Sequence, residues 1–291
     1  MPRKLCLIYA NCQGKALGHF LYKSPCFQAD YQIEFLPNYL LIQEQKEIST
    51  DLLKRAELFI YQPVRDEHGI YSTHHLVSHL RDTCPRLSFP YFYSDALWPL
   101  FRDGKRIVNA SSITDLLDAG ASVGDIALQF LRLQIDFRFE QRFQNSLRIL
   151  AEKESATTVK VTPYILEHLK TERLFLTYNH PASGLMIHCA NQMLSMLDHP
   201  TLQKEDHPHP NEAGLPGHFP LSPYEQVHYQ LGYTDNWKDF YTSKREGSWK
   251  RYYLLKIMEI CLSRYTEKHA RYRYEKLFLK TLRSLADYLP S

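Results

Sequence analysis

The residues best suited to do chemistry stand together where the first apolar run ends: Asn11, Cys12 and Gln13. A cysteine in the turn between a strand and a helix meets free backbone N–H groups and the positive end of the helix dipole. Both lower a thiol's pKa and favour the reactive thiolate. The same N–H groups suit an oxyanion or a phosphate. A cysteine nucleophile needs a base, and His180 is the candidate because it ends a late strand instead of lying inside a helix. Gln13, Asn11 and Gln62 carry amides able to donate to a developing oxyanion.

These residues need a sheet to hold them. Lys4 to Ala10 is a nearly continuous apolar run, as in a strand buried on both faces of a parallel sheet. Gly14 to Tyr22 predicts a helix, Tyr31 to Leu36 a second strand, Leu41 to Arg55 an amphipathic helical segment, and Leu58 to Gln62 a third strand stopped by Pro63. His74 to Arg81 fits a short helix, and Arg86 to Tyr93 a fourth strand broken by Pro90. The alternation predicts βαβ units: an α/β fold with a parallel sheet and helices on both faces. In such sheets ligands bind beyond the carboxyl ends of the strands, where Asn11-Cys12-Gln13, Gln62-Pro63-Val64-Arg65 and Asn179-His180 all fall.

Downstream, Ile113 to Leu133 and Phe137 to Glu154 carry helical spacing, with Asp115, Asp125 and Asp136 near helix starts. Leu174 to Tyr178 returns to strand and Gly184 to Leu197 to helix. His199 to Pro223 predicts a long irregular loop, a candidate lid. Trp249 to Arg264 and Glu267 to Leu285 close the chain as two helices. The expected division is a catalytic core over residues 1–200 and a loop with a helical extension over residues 201–291.

Composition narrows the function. A 291-residue chain with 44% hydrophobic and 23% charged residues can bury a core and is neither disordered nor fibrous. The net charge of +3 favours anionic ligands but falls short of a nucleic-acid footprint. Tyr 20 and Phe 15 supply surplus rings of the kind that line sugar or ring sites. The first apolar run is too short for a signal peptide, and no run approaches a membrane span, so a cytoplasmic location is expected. The six cysteines are scattered without Cys-x-x-Cys spacing, so reduced thiols are expected. His74, His75 and His79 sit at helical spacing with no cysteine or carboxylate to complete a site, and the Pro interruptions among His199, His207, His209 and His218 suit an irregular lid, so no metal is expected. The basic runs around Lys244-Arg245, Lys250-Arg251 and Arg271-Tyr274 fit solvated helix faces or phosphate contacts.

Ala10-Asn11-Cys12-Gln13, Tyr61-Gln62-Pro63-Val64-Arg65, Phe89-Pro90-Tyr91-Phe92-Tyr93 and Tyr178-Asn179-His180-Pro181 together resemble the WcbI-type capsular polysaccharide biosynthesis proteins. The resemblance runs through most of the chain, and Asn-Cys-Gln is its most specific element. The family pattern has Gly before Asn-Cys-Gln where this chain has Ala10, which bears on how tightly the turn is wound.

Such proteins look like distant relatives of SGNH-type esterases and acetyltransferases. The resemblance implies an SGNH-like core, with additional C-terminal helices, in which Cys12 is the nucleophile and His180 the base. It implies coenzyme A binding and O-acetylation of a capsule sugar from acetyl-CoA. Lys15, Arg65 and His68 are then the expected phosphate contacts, with Asn11, Gly14, Gln62 and Asn179 around the coenzyme. The implied partners are a sugar or sugar-nucleotide acceptor and polysaccharide-assembly proteins. Two rivals stand beside this reading: an esterase that admits water in place of the sugar, and a non-catalytic module that docks on an assembly partner through its basic helices.

Overall fold

Strand β1 (Lys4–Ala10) runs parallel to β2 (Tyr31–Pro37) on one side and β3 (Leu58–Tyr61) on the other, and β3 runs parallel to β4 (Arg86–Ser88). The order is β2-β1-β3-β4. The computed structural model describes residues 2–103, 106–108, 110–215, 217–233 and 249–263. Between the first strands lie helices α1 (Cys12–Leu21), α2 (Pro25–Asp30), α3 (Asn38–Glu44), α4 (Thr50–Arg55) and α5 (Thr73–Ser78). There follow a hairpin of β5 (Phe101–Asp103) and β6 (Arg106–Val108), then α6 (Ser111–Asp118), α7 (Val123–Leu131), α8 (Phe139–Ser155) and α9 (Thr162–His168). A short pair, β7 (Phe175–Thr177) and β8 (His180–Pro181), leads into α10 (Ser183–Met196), α11 (Pro223–Tyr229) and α12 (Trp249–Ser263).

The chain divides into two compact units. The first joins the residues up to Asp95 with Arg142–His218 and Leu231–Tyr233, and holds the parallel sheet. The second joins Ala96–Gln141 and Phe219–Gln230 with α12. Its core stacks Phe130 on Tyr224 and sets Tyr253 beside Phe130.

In the first unit the pleat of β1 sends successive side chains to opposite faces. Leu7 and Tyr9 join Phe59 of β3 and Leu41, Leu53 and Leu76 of α3, α4 and α5 in one buried cluster. Ile8 and Ala10 face α1 instead, where Gly14 and Gly18 let helix and strand approach. Helix α10 packs on α1. The expected α/β core with helices on both faces is therefore present, as is a C-terminal helix, α12.

Several boundaries differ from expectation. The segment Leu41 to Arg55 is two helices, because Gln45 takes a left-handed conformation (φ 52°) and ends α3. Ile113 to Leu133 is also two, broken at Gly120 (φ 86°), after which a Ser122–Asp125 capping box starts α7. β4 stops at Ser88, the Phe89 N–H still donates to the Tyr61 carbonyl of β3, and residues 90–93 are not strand. β7 does not join the parallel sheet; it pairs antiparallel with His180–Pro181. Helices α9 and α11 and the β5/β6 hairpin were not expected. The predicted helix Glu267 to Leu285 and the basic runs at Lys244-Arg245 and Arg271-Tyr274 lie outside the described residues.

Candidate active site

The carboxyl ends of β1 and β3 place Asn11 and Gln62 side by side: the Asn11 N–H donates to Gln62 Oε1 at 3.1 Å. Asn11 is also the N-cap of α1, its Oδ1 accepting from the Gln13 N–H at 2.8 Å. Capping fixes the first turn of α1 and, with it, Cys12. The Sγ of Cys12 lies 3.6 Å from His180 Nε2, a contact that joins residues 168 apart in sequence. His180 opens β8 just after the β7–β8 turn, rather than ending a strand as expected.

Gln13 explains how these segments meet. Its side chain is fully buried. Its Nε2 donates to the carbonyls of Phe92 (2.9 Å) and Asn179 (2.7 Å), while its Oε1 accepts from the Phe92 N–H (3.0 Å) and from Gln62 Nε2 (2.8 Å). Gln62 Nε2 also reaches the Pro90 carbonyl at 3.4 Å. One pair of amides thus ties the ends of β1 and β3 to the 90–92 segment and to the residue before His180. This corrects the expectation that Gln13 and Gln62 donate to an oxyanion, because their amide hydrogens are already engaged. Asn11 differs: its Nδ2 has no partner among the described residues, and the Cys12 N–H is at the unpaired first turn of α1.

The thiol also departs from expectation. Burial pushes the Cys12 pKa up, and the backbone N–H groups of Cys12 and Gln13 offset this only partly. The helix N-terminus lowers the pKa as predicted, but desolvation of the charged form outweighs it. Cys12 at rest is therefore a neutral thiol next to an imidazole nitrogen, poised to lose its proton to the base during reaction rather than before it.

The other predicted residues divide. Asn179 sits against the site through its carbonyl, and its Oδ1 accepts from Thr177 Oγ1 at 3.1 Å. Gly14 is buried and packs on Ala10, Ile8 and Phe35, so its role is to let α1 close on the sheet. Lys15 is exposed on α1. Arg65 and His68 lie near the end of β3 in an exposed turn, both beside Glu67 at 3.9 and 3.8 Å.

Sequence reasoning missed Lys153 of α8, whose Nζ lies 4.7 Å from the ring centre of Tyr91 and 5.8 Å from that of Tyr93. The alternation of tyrosines about Phe92 was the available signal.

The histidine-rich loop is pinned rather than open. Glu212 meets Lys23 Nζ (2.8 Å), His207 Nδ1 (2.8 Å) and His19 Nε2 (3.3 Å), and its N–H donates to Ser183 Oγ. His199 packs on Phe27 and Tyr31 near Asp30. Among the described residues no group of three His, Cys, Asp or Glu is placed to hold a metal, and no helix is long and apolar enough to cross a membrane.

No curated protein matches the chain. A solved structure of WcbI, described as a novel polysaccharide biosynthesis enzyme and as native protein without a disulfide bond between coenzyme A and one of its cysteines, is similar in fold. Its TM-score is 0.69 at 19% identity, covering 95% of this chain and 94% of that one. The profile of the family called polysaccharide biosynthesis enzyme WcbI matches residues 5–202, which include the whole Cys12–His180 constellation. The chain belongs to the WcbI family of polysaccharide biosynthesis enzymes.

Proposed function

We propose that this chain is an O-acetyltransferase that moves an acetyl group from acetyl-CoA to a hydroxyl of a sugar or sugar-nucleotide precursor of a bacterial surface polysaccharide, in the cytoplasm. The observation that carries the reading is the 3.6 Å approach of Cys12 Sγ to His180 Nε2 at the carboxyl end of the sheet. The family's role in polysaccharide synthesis supports a sugar acceptor, and coenzyme A in the solved WcbI supports the donor.

The residues suit a thioester. His180 takes the Cys12 proton as Sγ attacks the acetyl carbonyl carbon. The carbonyl oxygen becomes negative and is met by the Cys12 N–H and Asn11 Nδ2, the donors left uncommitted by the strut of glutamines. The bond to the coenzyme sulfur then breaks, and that sulfur recovers the proton from His180. The sugar hydroxyl next gives its proton to His180 while its oxygen takes the acetyl group, which frees Cys12. In a direct route His180 would deprotonate the sugar hydroxyl, and Cys12 would only position the thioester.

Intact mass after incubation with acetyl-CoA, without acceptor, tests the scheme. An acetyl adduct that is absent in Cys12→Ala supports the covalent route; full transfer activity in Cys12→Ala sinks it. Steady release of acetate without any sugar would favour an esterase.

A further inference from the structure

Lys153 is a half-buried cation whose surroundings give it no counter-ion. Its ammonium lies over the faces of Tyr91 and Tyr93, 4.7 and 5.8 Å from their centres. Burial and the positive charge of Arg65 both hold its pKa down. The carboxylates beside it in sequence are committed elsewhere. Glu152 pairs with Arg148 at 2.5 Å, and Glu154 accepts from the N–H groups of Val161 and Thr162 at 2.5 and 2.8 Å. Among the described residues no carboxylate pairs with Lys153. Arg65 has a weak partner in Glu67 at 3.9 Å, and its side chain is 86% exposed. A partly desolvated ammonium without a carboxylate partner is unfavourable until an anion joins it.

The location matters as much as the charge. Tyr91 and Tyr93 flank Phe92, whose N–H and carbonyl are both held by Gln13 beside the thiol. The Tyr93 ring meets Tyr178 at 5.7 Å, and the Tyr178 carbonyl accepts from the Ser94 N–H at 2.7 Å, two residues before His180. Lys153 therefore lies over the segment whose Phe92 is held by Gln13 beside the thiol.

We propose that Lys153, backed by the Tyr91 and Tyr93 rings, binds a phosphate or carboxylate group of the ligand that reacts at Cys12. The inference rests on the acetyl-transfer reading only for which ligand carries that anion. Two sources share the chemistry: the phosphates of the coenzyme, and the phosphates of a nucleotide-linked sugar.

Calorimetric titration of the full chain with coenzyme A, with UDP and with inorganic pyrophosphate tests it. Lys153→Gln should weaken binding of at least one probe by about 10- to 100-fold, the worth of a charge-assisted contact. Lys153→Arg should restore most of it. A loss confined to coenzyme A assigns the site to the donor, and one confined to UDP assigns it to the acceptor. Without ligand, Lys153→Gln should melt at the same temperature or higher, because a partly desolvated charge is removed. A lower melting temperature with unchanged affinities would mean that Lys153 only packs on the tyrosines, and would overturn the proposal. Failure of the unaltered protein to bind any probe at millimolar concentration would overturn it too. Cys12→Ala should keep anion affinity whatever it does to acetyl transfer, so the site and the reaction are judged separately.

Discussion

Gln13 Nε2 donates a 2.7 Å hydrogen bond to the carbonyl of Asn179, so the residue after the thiol holds the residue before the base. The distance between Cys12 and His180 is thereby set by a side chain that has no atom left for the substrate.

Gln13→Glu should test this strut severely. A carboxylate cannot donate to the Phe92 and Asn179 carbonyls, and it would be buried without water. We expect a loss of about 3 kcal/mol or more in urea unfolding. Transfer activity should also fall at temperatures where the variant is still folded. A variant as stable as the parent would show that the strut does not hold the site.

The raised pKa of Cys12 predicts a pH profile. A thiol with a pKa above its ordinary value stays protonated through neutral pH, so the thiolate fraction should climb about tenfold per pH unit through the neutral range. Iodoacetamide modification, followed by mass, should rise across that range with no early plateau. A plateau near neutrality would mean that Cys12 and His180 rest as a thiolate and imidazolium pair.

The seat of α1 predicts a coupled pair. A methyl at Gly14 would fall 2.5 Å from the Ala10 Cβ and 3.1 Å from Ile8 Cγ2 and Phe35 Cε2. Gly14→Ala should cost about 1–3 kcal/mol by overpacking. Adding Ala10→Gly removes the nearest atom, and the double variant should regain about 1 kcal/mol of that in equilibrium unfolding. Simple additivity would refute the contact.

Glu212 predicts acid sensitivity. Burial opposes its charge, but hydrogen bonds from Lys23, His207 and His19 together hold its pKa down to about 2 in the folded chain, against 4.5 for the ordinary group. A depressed carboxyl stabilises the fold above its unfolded pKa and loses that contribution as pH falls through the folded one. Unfolding free energy should therefore decline between those two values. Glu212→Gln should flatten this decline while lowering stability at neutral pH, and equal slopes in both proteins would remove Glu212 as the cause.

Much of this architecture could be read from residue order. The apolar run of β1 and the placement of Cys12 after a strand are local signals. His180 was singled out as a strand end, whereas it opens β8 after a two-residue turn. What escaped depends on distant partners. Nothing near Gln13 in sequence says that Phe92, Asn179 and Gln62 will saturate its amide, and its neighbourhood suggests an oxyanion donor instead. Burial of Cys12 likewise comes from packing, and it reverses the effect of a helix end. Lys15 looked apt because it is near the motif, whereas Lys153 is brought over Tyr91 and Tyr93 by folding. Some misses were avoidable: Ser222-Pro223 with Glu225 has the capping pattern that starts α11.

The separation of the two reacting side chains has a consequence for synthesis. A ribosome that has delivered β1 through β4 has made the thiol and the parallel sheet that carries it, yet His180 follows Cys12 by 168 positions. A nascent or truncated chain that stops short of the β7/β8 turn carries the thiol without the imidazole that stands beside it in the folded chain. Activity in this enzyme thus requires synthesis past the β7/β8 turn.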